Sequence, residues 1–291
     1  MLSNTCCYFR PVSGRFVAYS VFLLVLASSS VWAGQGVREI NQLCVASGCF
    51  DGDDPGFPVE IVNPGSYQLT SNLDVRDESS PEDVTAIIIV DGSIELDLNG
   101  HSILGPVICP GSPAVCSITG GTGNGIETLS GSISQIDNGI VRGMGDTGVN
   151  CQGFCSVENL DLSQNGNRGL NAISNNNNAV HIRSISNGGN GINFRGLIEN
   201  SHAQSNGGIG IVVAGESILK YSTALANGST GVQCFRCSLF FNTINNNAGI
   251  GVQYFFPSTA GSNSISANLG GSTSGAAPFV TAPNRCGSVS C

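Results

Sequence analysis

A chain of 291 residues with 40 glycines and only 11% charged side chains cannot be a helical bundle, because glycine and asparagine at this density oppose helix. Valine, isoleucine and leucine recur at fixed phase instead of being diluted, which argues against disorder. The net charge of −9, with Lys220 the single lysine and no basic stripe, disfavours a nucleic-acid partner.

Residues 1–33 read as a signal peptide. Arg10 and Arg15 precede an apolar run from Phe16 to Ala27, and Val31 and Ala33 supply small residues for cleavage after Ala33. The run is about a dozen residues where a span needs about 20, so no stable membrane span is expected after cleavage. The mature chain is expected to be secreted, either extracellular or periplasmic.

Residues 34–85 are expected to form an N-terminal cap, since a solenoid must cover its open end. They hold Cys44, Cys49, an acidic turn at Asp51, Asp53 and Asp54, and an alternating stretch from Pro64 to Leu73 that reads as a strand. The three aspartates, with Glu60 nearby, offer oxygen ligands for Ca2+, but composition alone favours a turn rich in Asp, Gly and Pro. No other cofactor is indicated.

Residues 86–270 carry the repeat. Ile87 to Leu104 reads as one full rung, with turns at Asp91-Gly92 and Asn99-Gly100. From Gly125 the glycines at 125, 148, 169, 191, 210, 231 and 251 lie 19 to 23 residues apart, and an aliphatic residue follows each. From Asn165 onward an asparagine stands four residues before the glycine, at 165, 187, 206, 227 and 247. A period near 21 with aliphatic residues at fixed phase points to a solenoid whose rungs are short strands. Strand alternation places Val149, Leu170, Ile192, Ile211, Val232 and Val252 inside, together with the residues two further on. The residues between, Asn150, Asn171, Asn193, Gln233 and Gln253, then face outward. The repeated asparagines are expected to stack as an amide ladder at a corner, with the neighbouring glycines supplying positive φ. Residues 271–291, rich in Ser, Gly and Ala, read as a C-terminal tail or cap.

Ten cysteines follow the signal peptide as five close pairs: Cys44 with Cys49, Cys109 with Cys116, Cys151 with Cys155, Cys234 with Cys237, and Cys286 with Cys291. Even pairing in an exported chain argues for disulfides. Four thiolates from Cys151, Cys155, Cys234 and Cys237 could suggest zinc. The two pairs are four repeats apart, however, or about 19 Å at a rung spacing of about 4.8 Å, too far for one tetrahedral ion.

Several stretches resemble secreted bacterial right-handed parallel β-helix proteins of the pectin-lyase-like superfamily. They are Asp53-Asp-Pro-Gly-Phe-Pro-Val-Glu-Ile61, Pro64-Gly-Ser-Tyr-Gln-Leu-Thr-Ser-Asn-Leu73, Leu96-Asp-Leu-Asn-Gly-His-Ser-Ile-Leu-Gly105 and the Asn-x-x-x-Gly-Ile phrases, covering roughly residues 44–270. The resemblance implies an all-β, single-stranded right-handed parallel β-helix of about eight rungs with N- and C-terminal caps. It does not fix an activity, because one fold hosts many. The hydrolases of that superfamily show Asn-Thr-Asp and Gly-His-Gly segments. This chain has Asn242-Thr-Ile244, no Gly-His-Gly, and its Asp-Asp pair only at Asp53-Asp54.

Two functional readings remain. The first is a secreted or cell-surface protein that binds carbohydrate or another surface ligand without catalysis. It would use the amide column Asn150, Asn171, Asn193, Gln233 and Gln253 with Arg195, Phe235 and Phe255, because amides and aromatic faces suit sugar hydroxyls and C–H surfaces. The second is a lyase-like enzyme on an acidic glycan. Aligning rungs on the asparagine phrase puts Asp161, Arg183 and His202 in one column, with His181 and Glu199 nearby, where a base could abstract the proton beside a uronate carboxylate that a cation neutralises. The partner in either reading is a polysaccharide or cell-surface glycan.

Overall fold

Each turn of the coil is built from three short strands, and each strand pairs in parallel with its counterpart one turn on. The structure, a computed structural model, describes residues 36–118 and 120–290; the expected signal peptide at 1–33 lies outside the described residues. In the turn that follows Gly210, Ile211–Val213 belongs to a first ladder, Ile218–Lys220 to a second and Thr223–Leu225 to a third. The chain is an all-β parallel solenoid, and its one α-helix among the described residues is the single turn Gln42–Val45. About eight rungs occupy residues 86–270, and in the first ladder they run from Ile87–Ile89 to Val252–Tyr254. The ladders continue on either side, with Val59–Ile61 paired to Ile87–Ile89 and Thr273–Gly275 paired to Val252–Tyr254.

The core is a stack of aliphatic columns. Val149, Leu170, Ile192, Ile211, Val232 and Val252 are in direct register and fully buried, as are Ala172, Phe194 and Val213 two positions on. Strand alternation alone produces this, because the residue between each pair must point outward.

The asparagine column is a buried ladder. Asn165, Asn187, Asn206, Asn227 and Asn247 are at most 1% exposed. Each Nδ2 donates to the Oδ1 one rung on, at 3.0 Å from Asn165 to Asn187 and 2.9 Å for the next three steps. The same Oδ1 also accepts the backbone N–H of the asparagine below, and Nδ2 donates again to a backbone carbonyl such as Ser184 O, 3.0 Å from Asn206. A buried amide with both ends bonded avoids the desolvation cost that an orphaned one would carry. A second column at another corner, Ser201, Ser222, Asn242, Asn263 and Asn284, does the same work, with Asn242 Nδ2 donating to Asn263 Oδ1 at 2.9 Å.

The glycines act differently from the expectation. Gly169, Gly191, Gly210, Gly231 and Gly251 are absent from the left-handed region. The positive φ falls on the residue before each asparagine instead: Gln164, Ser186, Ser205, Ala226 and Asn246, with φ between 53° and 56°. Glycine is required by close approach. A Cβ on Gly210 would lie 2.6 Å from Asn227 Nδ2 and 2.6 Å from Gly231 O, and Gly191 meets Asn206 and Gly210 in the same way. The asparagine ladder leaves no room for a side chain beside it.

Disulfides join Cys44 to Cys49, Cys109 to Cys116, Cys151 to Cys155 and Cys234 to Cys237. Cys286 is disulfide-bonded too, and its expected partner Cys291 lies outside the described residues. Cys151 and Cys234 occupy one inward column, four register steps apart through Ala172, Phe194 and Val213. The segment 106–118, closed by Cys109–Cys116, runs as a strap over the glycine corner of several rungs. Ala114 N donates to Ser205 O at 2.9 Å, and the Ser112 and Ser205 hydroxyls are 2.7 Å apart. Val107, Cys109 and Ala114 form a small core of the strap's own.

Candidate functional site

The outer face of the first ladder carries the amide column in register from Asn150 through Asn171 and Asn193 to Gln233 and Gln253, interrupted by Val212. The amides bond to one another along the axis. Asn171 Nδ2 donates to Asn150 Oδ1 at 2.9 Å, and Gln233 Nε2 donates to Gln253 Oε1 at 3.1 Å. Asn193 Oδ1 instead accepts from Asn190 at 3.1 Å. Glu127 stands at the head of the column and accepts from Gln152 Nε2 at 2.8 Å. Each amide keeps part of its hydrogen-bonding capacity, so the column is an ordered polar stripe.

Asp161, Arg183 and His202 lie on consecutive rungs of the third ladder in direct register. Arg183 is ion-paired with Asp161, whose Oδ1 is buried without a hydrogen-bond partner. His202 is exposed one rung further on. His181 and Glu199 turn to other partners: His181 Nδ1 lies 4.0 Å from Glu158, and Glu199 is 2.9 Å from Lys220 Nζ. Near the N-terminus, both oxygens of Asp53 accept backbone amides, from Cys49 at 2.7 Å and Glu60 at 2.8 Å, while Asp51 and Asp54 are exposed. Among the described residues no group of three or more His, Cys, Asp and Glu side chains is placed to hold a metal ion.

The second ladder's outer face has two unlike halves. Toward the N-terminus, Asp97, Asp137 and Glu158 follow one another rung by rung, with Glu95 beside them. Burial works against the Asp97 charge, but hydrogen bonds from Gln68, the Asn99 amide and Asn138 outweigh it and hold its pKa below the ordinary value. Asp137 shifts the other way, raised by burial and by repulsion from Asp97, Glu95 and Glu158 despite a hydrogen bond from Gln135.

Toward the C-terminus the same face is bordered by aromatic pairs. Phe235 and Phe255, where the chain leaves the first ladder, stack face to face with centroids 4.4 Å apart and planes parallel at 0°. Tyr221 and Phe241, where it leaves the second, stack at 5.2 Å and 11°. Arg236 lies 5.8 Å over the Phe256 ring, and Lys220 lies 5.9 Å over Tyr221. A cleft of about 790 Å³ opens on this face, with Glu216, Ile218, Arg236, Ser238, Thr259 and Phe279 among its lining residues. Phe235 and Phe255 were legible in the repeat. Tyr221, Phe241 and Phe256 were not, although Tyr221 and Phe241 are 20 residues apart, which is one rung.

The chain matches no protein-family model, no curated protein and no solved structure. The parallel β-solenoid, a fold compatible with carbohydrate binding in general, therefore stands on the strand pairing itself. Among the described residues no helix is long and apolar enough to cross a membrane.

Proposed function

We propose that this is an exported β-helix protein, extracellular or periplasmic and of the pectin-lyase-like kind it resembles, that binds carbohydrate without catalysis. The observation carrying this reading is the two aromatic stacks, Phe235 with Phe255 and Tyr221 with Phe241, at the two edges of the second ladder, where ring faces suit the C–H surfaces of sugars. The amide stripe and Arg195 extend the polar contacts on the neighbouring face. Export is supported by the disulfides and by the leader-like composition of residues 1–33. A glycan array tests it. The wild type should retain a defined set of glycans, and a Phe235→Ala/Phe255→Ala variant with unchanged circular dichroism should lose them; retention of none by the wild type would refute the reading.

A second reading, a lyase-like enzyme on an acidic glycan, is favoured by the register that puts Asp161, Arg183 and His202 on successive rungs. Arg183 would neutralise a uronate carboxylate and His202 would take the neighbouring proton. Unsaturated products from polygalacturonate or alginate, absent with Arg183→Ala, would establish it. Failure to form them from either polymer retires it.

A further inference from the structure

We infer that the aromatic-bordered half of the second ladder binds an uncharged glycan, with Tyr221 and Phe241 as the residues that define the site. The inference rests on the carbohydrate-binding reading above and adds the ligand's charge class and two residues to it.

The first argument is backbone conformation. The corner between the second and third ladders needs one residue per rung in the left-handed region, and Asn138, Asn159, His181, Asn200 and Ser262 fill it with φ between 51° and 62°. Asparagine is the non-glycine residue best suited to that conformation. Two rungs replace it with bulky aromatics, Tyr221 at φ 53° and Phe241 at φ 58°. Both rings are about half exposed, at 52% and 53%, so they fill no core. Two aromatic rings at a corner where asparagine is the best-suited residue, stacked on each other in solvent, point to a role beyond packing.

The second argument is charge. Two cations on this face, Lys220 and Arg236, are ion-paired within the protein, with Glu199 at 2.9 Å and Glu216 at 3.8 Å. Each would have to give up its pair to hold a carboxylate or sulfate. On the same ladder toward the N-terminus, Glu95, Asp97, Asp137 and Glu158 face outward, so a polyanion long enough to leave the cleft meets like charge. What remains is stacking and hydroxyl recognition: the two aromatic pairs, with Ser238 and Thr259 between them. The cleft, about 790 Å³, is large enough to take several sugar rings.

The experiment is calorimetric titration of the full chain with two uncharged probes, cellohexaose and xylohexaose, and two acidic ones, hexagalacturonate and an alginate hexasaccharide, at low and high salt. At least one uncharged probe should bind, with an affinity that salt leaves within about twofold. Tyr221→Asn and Phe241→Asn supply the residue the corner prefers, so each should keep or raise the melting temperature while weakening binding about tenfold. Salt-sensitive binding of the acidic probes alone would overturn the charge assignment and leave the carbohydrate-binding reading standing. Full affinity in both asparagine variants would place the site elsewhere and overturn the inference. No binding of any probe would remove this inference and the reading beneath it together.

Discussion

Gly210→Ala isolates the reason for the repeated glycine. If glycine were present for backbone freedom, alanine would be tolerated, because Gly210 is not in the left-handed region. The structure says the opposite. The new Cβ would sit 2.6 Å from Asn227 Nδ2, 2.6 Å from Gly231 O and 3.1 Å from the Ala224 Cβ. None of these yields easily: one is backbone, and Asn227 Nδ2 is held by Ala203 O at 3.0 Å and Asn247 Oδ1 at 2.9 Å. Overpacking costs about 1–3 kcal/mol, and weakening two buried hydrogen bonds adds about 1 kcal/mol, so the loss should be about 2–4 kcal/mol. That is a large share of the roughly 5–15 kcal/mol that holds a domain together. The converse variant is Ala226→Gly, at φ 53° in the same rung. Relief of a left-handed alanine, about 1–2 kcal/mol, offsets the extra freedom of glycine in the unfolded chain, about 0.5–1 kcal/mol, so it should be neutral or stabilising by about 1 kcal/mol. Guanidinium unfolding followed by circular dichroism measures both as midpoint shifts at constant slope. A Gly210→Ala midpoint equal to wild type, or a larger loss from Ala226→Gly, would refute the close-approach account.

Asn206→Asp places a carboxylate oxygen against Ser184 O and Asn227 Oδ1, where Nδ2 now donates to both. It should cost about 3–5 kcal/mol at neutral pH and less in acid, where the group is protonated, as read from unfolding midpoints against pH. Replacing Cys109 and Cys116 by serine should cost about 2–3 kcal/mol by the chain-entropy estimate and open the strap at 106–118 to limited proteolysis; an uncut strap would show that its contacts over Ser205 suffice alone. For Asp137 the folded pKa is raised, so its contribution to stability is present below the ordinary carboxylate range and lost as pH rises through the folded value. Asp137→Asn should therefore raise the melting temperature at about pH 7 and leave it unchanged at about pH 3. A gain of the same size at both pH values would show that the buried charge of Asp137 and its repulsion from Asp97, Glu95 and Glu158 are not the cause.

The solenoid and its register were legible because a strand puts alternate residues on opposite faces and the glycine phrase marks the phase. From that phase alone the inward aliphatic columns, the outward amides and the column of Asp161, Arg183 and His202 could be placed, and strand pairing puts them in that register. The role of the glycines was not legible. A glycine beside an asparagine reads as a turn in one dimension, and only the stacked rungs show that Gly210 and Asn227, 17 residues apart, compete for one space. The second amide column escaped for a related reason. Its members change from Ser201 and Ser222 to Asn242, Asn263 and Asn284, so no single residue type repeats, although every one receives the backbone N–H of the rung before it. The aromatic border was hidden by the same shift of identity, since Tyr221 and Phe241 occupy a corner that Asn138, Asn159, His181, Asn200 and Ser262 hold elsewhere. In a stacked fold the repeated residue marks what the coil needs at each turn. Departures from it at a corner that still needs the left-handed conformation are His181, Tyr221, Phe241 and Ser262, and of these only Tyr221 and Phe241 are rings stacked on each other in solvent.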